Sequence, residues 1–109
     1  EWGKEVAEKK HQREAGDGLI VSYVHSTQKA GTLLQVRCET DFVAKSPEFK
    51  ELAHELALQI VSMDPEDVTA LLAQEYIKDS SKTIQSLLDE AIAKLGENIV
   101  VERFVRFQI

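Results

Sequence analysis

The sequence predicts an α+β fold: a small three-stranded antiparallel sheet with helices packed on one face. Three observations predict it. One early segment is rich in β-branched and aromatic residues and the next alternates apolar with polar, the middle holds apolar residues at helical spacing, and the chain closes on a Val- and Phe-rich run. The 109 residues amount to one small domain with one modest core.

Residues 3–15 read as a polar helix whose only large apolar residues nearby are Trp2 and Val6. So short and polar a helix needs a neighbour. Gly16, Asp17 and Gly18 break it. Residues 19–25 suit a strand, and residues 32–39 alternate clearly: Leu34, Val36 and Cys38 share one face, Gln35, Arg37 and Glu39 the other. The polar connector Ser26–Gly31 has the length of a hairpin loop.

Residues 47–62 carry the clearest helix signal. Ser46 suits the N-cap and Pro47 the first turn. Phe49, Leu52, Ala53, Leu56, Ala57, Ile60 and Val61 form one stripe. Asp64-Pro65-Glu66 reads as the start of a shorter helix holding Val68, Leu71 and Leu72. Asp79-Ser80-Ser81 reads as a loop. Thr83 caps a third helix with Ile84, Leu87, Leu88, Ala91, Ile92 and Leu95 on one side and Gly96 at its end. Residues 99–109 read as a long strand. Residues 1–17 are thus expected to be a polar linker helix and 18–109 the core domain. Three strands leave two open edges, which invite pairing with a second copy.

Composition narrows the function. Hydrophobic residues make up 43% and charged residues 29%, as in ordinary globular chains. No apolar run is long enough to span a bilayer, and residues 1–15 lack the apolar stretch of a signal peptide. The net charge is −6, with 13 basic and 19 acidic residues, so no direct nucleic-acid partner is expected. The single cysteine, Cys38, forms no internal disulfide, and a reducing compartment is the default.

Chemistry-bearing residues are sparse. His11, His25 and His54 stand at no metal-ligand spacing with each other or with Cys38, and no phosphate-binding glycine loop is present. A Cys38–His25 nucleophilic pair on neighbouring strands is conceivable, but an inward-facing cysteine is usually inert packing. The residues therefore point to no enzyme, no metal and no cofactor. The unusual segment is Cys38–Lys45, which sets Phe42 and Val43 in a connection that should be polar. From the residues alone, Phe42 is expected to fold back as core while Asp41 caps a turn. The alternative is a protruding aromatic anchor beside a carboxylate, as at protein interfaces.

Cys-Glu-Thr-Asp-Phe-Val-Ala-Lys at 38–45, with Pro-Glu-Phe at 47–49, resembles the signature of the elongation factor Ts family. Gly18-Leu19-Ile20 with Tyr23 and His25, residues 55–65, residues 92–101 and Arg103-Phe104-Val105-Arg106-Phe107 resemble further blocks of the family. The resemblance implies the family's core fold and guanine nucleotide exchange on elongation factor Tu, in the cytoplasm or in a mitochondrion or plastid. It implies partner contacts at Thr40, Asp41, Phe42 and Val43: Phe42 would wedge into the GTPase domain and Asp41 would help disturb the bound magnesium. His25 and His54 are implied at a second contact. Short members pair as homodimers through their sheets. Relative to the family pattern, an N-terminal helical domain and a stretch after residues 64–68 are expected to be absent. A reduced interaction module that binds elongation factor Tu weakly, without efficient exchange, is therefore the alternative.

Overall fold

Alternation and helical spacing set the order of elements. The computed structural model describes residues 2–11 and 13–109, without the side chains of Trp2 and Lys9. Glu1, Gln12 and the apolar side chain expected of Trp2 therefore lie outside the described residues. The chain runs α1 (Trp2–Lys10), β1 (Asp17–Val24), β2 (Ala30–Cys38), α2 (Asp41–Ala44), α3 (Pro47–Met63), α4 (Val68–Ala73), β3 (Glu75–Tyr76), β4 (Asp79–Thr83), α5 (Ile84–Leu95) and β5 (Val100–Gln108).

The main sheet is antiparallel in the order β1-β2-β5, so β2 is central. The period-two pattern of β2 is realised directly: Thr32, Leu34, Val36 and Cys38 are buried, while Leu33 faces out. Helix α3 covers β1 and β2, α5 packs beside it, and α1 lies along α5. Every expected stripe residue of α3 is buried, with Phe49, Leu56 and Ile60 fully enclosed. Ser46 caps α3 by accepting a hydrogen bond from the Phe49 amide, and Thr83 caps α5 by accepting one from Ser86. Gly96 ends α5 at a φ of 78°, the left-handed conformation expected there. Gly18 has a φ of 144°, and a Cβ at this position would stand 2.1 Å from the Val36 carbonyl oxygen. Only glycine fits that approach.

Four local expectations give way. Helix α1 stops at Lys10 rather than reaching residue 15. Beyond it the chain is held by a tertiary contact: the Asn98 side-chain amide donates to the carbonyls of His11 and Arg13 at 3.3 and 2.9 Å. Asp64 does not begin α4; it ends α3 in a left-handed conformation (φ 48°), and Asp67 is the N-cap of α4. The segment expected to loop at 79–81 is strand β4, paired with β3. That hairpin is tied to α3 by Gln59, a buried polar residue inside an apolar stripe. Its Nε2 donates to Gln74 Oε1 and the Glu75 carbonyl, and its Oε1 accepts from the Ile77 amide. Last, the connection 41–44 is itself a helical turn, α2.

Candidate functional site

Strand β2 ends on Cys38, and two residues turn the chain into α2. Thr40 is its N-cap: the Val43 amide donates to Thr40 Oγ1 at 3.2 Å. The cap is therefore Thr40, not Asp41 as expected. One turn of helix has room for only half of its residues on the core. Val43 (5% exposed) and Ala44 take that half, packed in the cluster with Cys38 and Phe49. Asp41, Phe42 and Lys45 are left on the other half, all exposed. Phe42 is 86% exposed, so the expectation that it folds back as core is overturned. The physical reason is the short helix: covering Phe42 would expose Val43 and Ala44 instead.

Lys45 Nζ lies 2.9 Å from Asp41 Oδ2, an i,i+4 pair on the open side of the turn. The hydrogen bond to the Asp41 carboxylate and its charge hold the lysine pKa above its usual range. The tip thus presents an aromatic ring beside a carboxylate with its own counter-ion. Of the four tip residues named from the sequence, Thr40, Asp41 and Phe42 are at the surface, and Val43 is the buried foot on which the turn stands.

A second cluster forms farther along α3. The rise of 1.5 Å per residue separates Pro47 from His54 by roughly 10 Å. Tyr23 stands between the two exposed histidines. Its ring meets His54 edge-on at 5.7 Å between centroids and His25 at 6.3 Å, with its hydroxyl 3.4 Å from His25 Nδ1. The sequence named both histidines; only the fold reveals the tyrosine that joins them. Helix α3 begins three residues after α2 and carries His54, so it runs from the tip to the second cluster.

The Cys38–His25 pair does not exist. Cys38 lies opposite Asp17 in the sheet, whereas His25 follows the far end of β1. At about 3.4 Å per residue the two ends are roughly 25 Å apart. Cys38 is fully buried, and its Sγ lies 3.2 Å from the Thr40 carbonyl oxygen. Burial first, then the nearby Glu97 carboxylate, push its thiol from 9.0 up to about 11. The sign follows: the neutral thiol is the folded form, so its contribution to stability is intact below pH 9.0 and is lost as pH rises toward 11. At pH 8 the native chain is expected to alkylate with iodoacetamide at least about tenfold more slowly than the chain in denaturant. Equal rates would show an open, reactive thiol. Among the described residues no group of three or more His, Cys, Asp or Glu could hold a metal ion, and no helix is long and apolar enough to cross a membrane.

Sequence reasoning assigned no role to Glu97. Its carboxylate accepts hydrogen bonds from the amides of Glu39 and Thr40, both at 3.0 Å, and from Thr40 Oγ1 at 2.7 Å. The only local signal was its place directly after the helix-ending Gly96.

Comparison with known proteins bears on these residues. The model of the family described as Elongation factor TS matches residues 39–109, which include the tip, α3, α5 and β5. The chain is 40% identical to Elongation factor Ts of Coprothermobacter proteolyticus, over 100% of this chain and 78% of that protein. It is 36% identical to Elongation factor Ts of Rubrobacter xylanophilus, over 100% and 79% respectively. It is 38% identical to that of Methylacidiphilum infernorum, over 94% and 73%. The first of these alignments runs over 154 positions, of which this chain fills 109, so that relative has an aligned portion without counterpart here.

Proposed function

This chain belongs to the elongation factor Ts family, and from that premise we propose that it promotes release of GDP from elongation factor Tu. The observation that carries the reading is the exposure of Phe42 on a turn whose other half is sealed into the core. An exposed aromatic on a rigid support has the character of an interface anchor: it can enter a partner's pocket with little entropy to lose. Phe42 wedges into the GTPase domain, and Asp41 beside it disturbs the magnesium site. Magnesium bridges and neutralises nucleotide phosphates, so displacing it weakens GDP binding. No covalent step is required. The factor need only bind the nucleotide-free state more tightly than the GDP state, and reciprocity lowers the affinity for GDP by the same factor. The Tyr23–His25–His54 cluster supplies the second contact, and Thr40 and Val43 hold the tip in place. Direct contact with nucleic acid has no part in this scheme. Such a factor works where translation occurs, in a bacterial cytoplasm or an organelle derived from one. The test is release of labelled GDP from elongation factor Tu by this chain and by Phe42→Ala.

The aligned portion absent from this chain favours a second reading, a reduced module that binds elongation factor Tu without efficient exchange. Binding without faster GDP release would select it.

The family's sheet-mediated pairing also has support. Helices cover one face of the sheet, and an uncovered face of an antiparallel sheet is ordinarily polar. Here it carries Ile20, Val24, Leu33, Val105 and Phe107, all exposed. Leu33 lies between Ser22 and Val105 in register, and Gly31 between Val24 and Phe107, so the apolar side chains are contiguous. A patch of this kind marks an interaction site, and two copies related by a twofold axis would cover it. The sheet pairing anticipated at an edge is thus proposed through a face. Leu33→Lys is expected to shift the mass in sedimentation from dimer to monomer with the helical signal retained. A monomeric parent chain would remove the pairing.

A further inference from the structure

We propose that Glu97 is a positioning residue for exchange: it holds Thr40 so that α2 forms and Phe42 stays presented. This rests on the tip-mediated exchange proposed above. Helix α2 has four residues, too few to hold a helix by themselves. Its formation depends on what satisfies its first amides. The Val43 amide is satisfied by Thr40 Oγ1. That hydroxyl is oriented in turn, because its own proton goes to Glu97 Oε2 at 2.7 Å. A lone pair is thereby left facing Val43. Glu97 Oε1 accepts from the amides of Glu39 and Thr40, which fixes the backbone entering the turn. The hold is reciprocal: Glu39 Oε2 accepts from the Asn98 amide at 2.6 Å. Two carboxylates therefore strap the β2–α2 turn to the α5–β5 turn, and residues far apart in sequence act as one support under Phe42.

The carboxylate matters because all three groups facing Glu97 are donors. A glutamine of the same shape offers one acceptor oxygen and one NH₂ group, which cannot accept from the hydroxyl or the amides. Glu97→Gln therefore frees the Thr40 hydroxyl and loosens the cap on Val43. The fraction of molecules with a formed tip falls, and apparent affinity for elongation factor Tu falls with it.

The experiment measures labelled GDP release from elongation factor Tu by the parent, Glu97→Gln, Phe42→Ala and the double variant. It adds amide hydrogen exchange and thermal melting of each free chain. Glu97→Gln is expected to lower exchange efficiency about tenfold, the loss of a charge-assisted hydrogen bond. The losses in the double variant are expected to be less than additive, since Glu97 acts through the tip that carries the ring. Faster hydrogen exchange is expected at Val43 and Ala44 but not along α3, a pattern general destabilisation would not give. Thr40→Val, which removes the relaying hydroxyl and leaves Glu97 in place, is expected to reproduce both effects even where Glu97→Gln folds poorly. If Phe42→Ala is impaired while either a folded Glu97→Gln or Thr40→Val matches the parent, the Glu97 assignment falls and the tip reading stands. Additive losses in the double variant overturn it as well. If Phe42→Ala itself exchanges like the parent, the tip reading fails and the positioning role fails with it.

Discussion

Phe42→Ala is expected to cost about 2 kcal/mol or more of binding to elongation factor Tu, roughly a thirtyfold loss of affinity. GDP release at limiting factor concentration should fall in proportion. The same substitution should leave folding almost untouched, because the ring is 86% exposed. Surface changes of this kind move stability by no more than about 0.5 kcal/mol. The contrast is the diagnostic. A loss of exchange at constant melting temperature makes the ring an anchor, because it contributes to binding and not to the fold. Calorimetric titration of elongation factor Tu with the two chains measures the first quantity, and thermal melting the second. Equal affinity of variant and parent would show that the interface lies elsewhere on the molecule.

The second large effect concerns the other aromatic of the same region. Phe49 is seven residues farther along and fully buried, in the same hydrophobic cluster as Val43 and Cys38. Phe49→Ala removes most of a ring's contacts and leaves a cavity that close-packed neighbours refill only in part. The expected cost is about 3 to 5 kcal/mol. That is a large part of the roughly 5 to 15 kcal/mol that stabilises a small domain. The melting midpoint should drop by upwards of about 12 °C. Differential scanning calorimetry checks it; a drop of a degree or two would mean that the ring is not packed as described. Phe42 and Phe49 are thus expected to separate cleanly, one affecting partner binding and the other folding.

Most of the fold was legible along the chain. The stripe of α3, the alternation of β2, the caps Ser46 and Thr83 and the terminating Gly96 are local signals. Each depends on residues within one or two turns or on a period of two. The β3–β4 hairpin was not legible. Its residues carry weak strand propensity, and it is tied down by Gln59, a buried polar residue of α3. The path of the chain after α1 was hidden for the same reason, since Asn98 holds it from the far end of the chain.

The candidate site divides along the same line. The segment 38–45 stood out in the sequence because Phe42 and Val43 are both apolar, but composition treats them alike. Burial does not: a single helical turn fixed at the end of a central strand turns Val43 and Ala44 inward and Phe42 outward. His25 and His54 could be named separately, but Tyr23 joins them only once β1 is laid against α3. Glu97 reaches the tip across a separation of 57 residues. By itself, then, the sequence determined the three strands of the main sheet, the helices α3 and α5 and which of their faces turn inward, because short-range periodicity encodes both. The tertiary structure alone decided which apolar residue is left in water and which carboxylate holds it there, because those outcomes depend on competition for a limited buried volume and on donors brought together from distant parts of the chain.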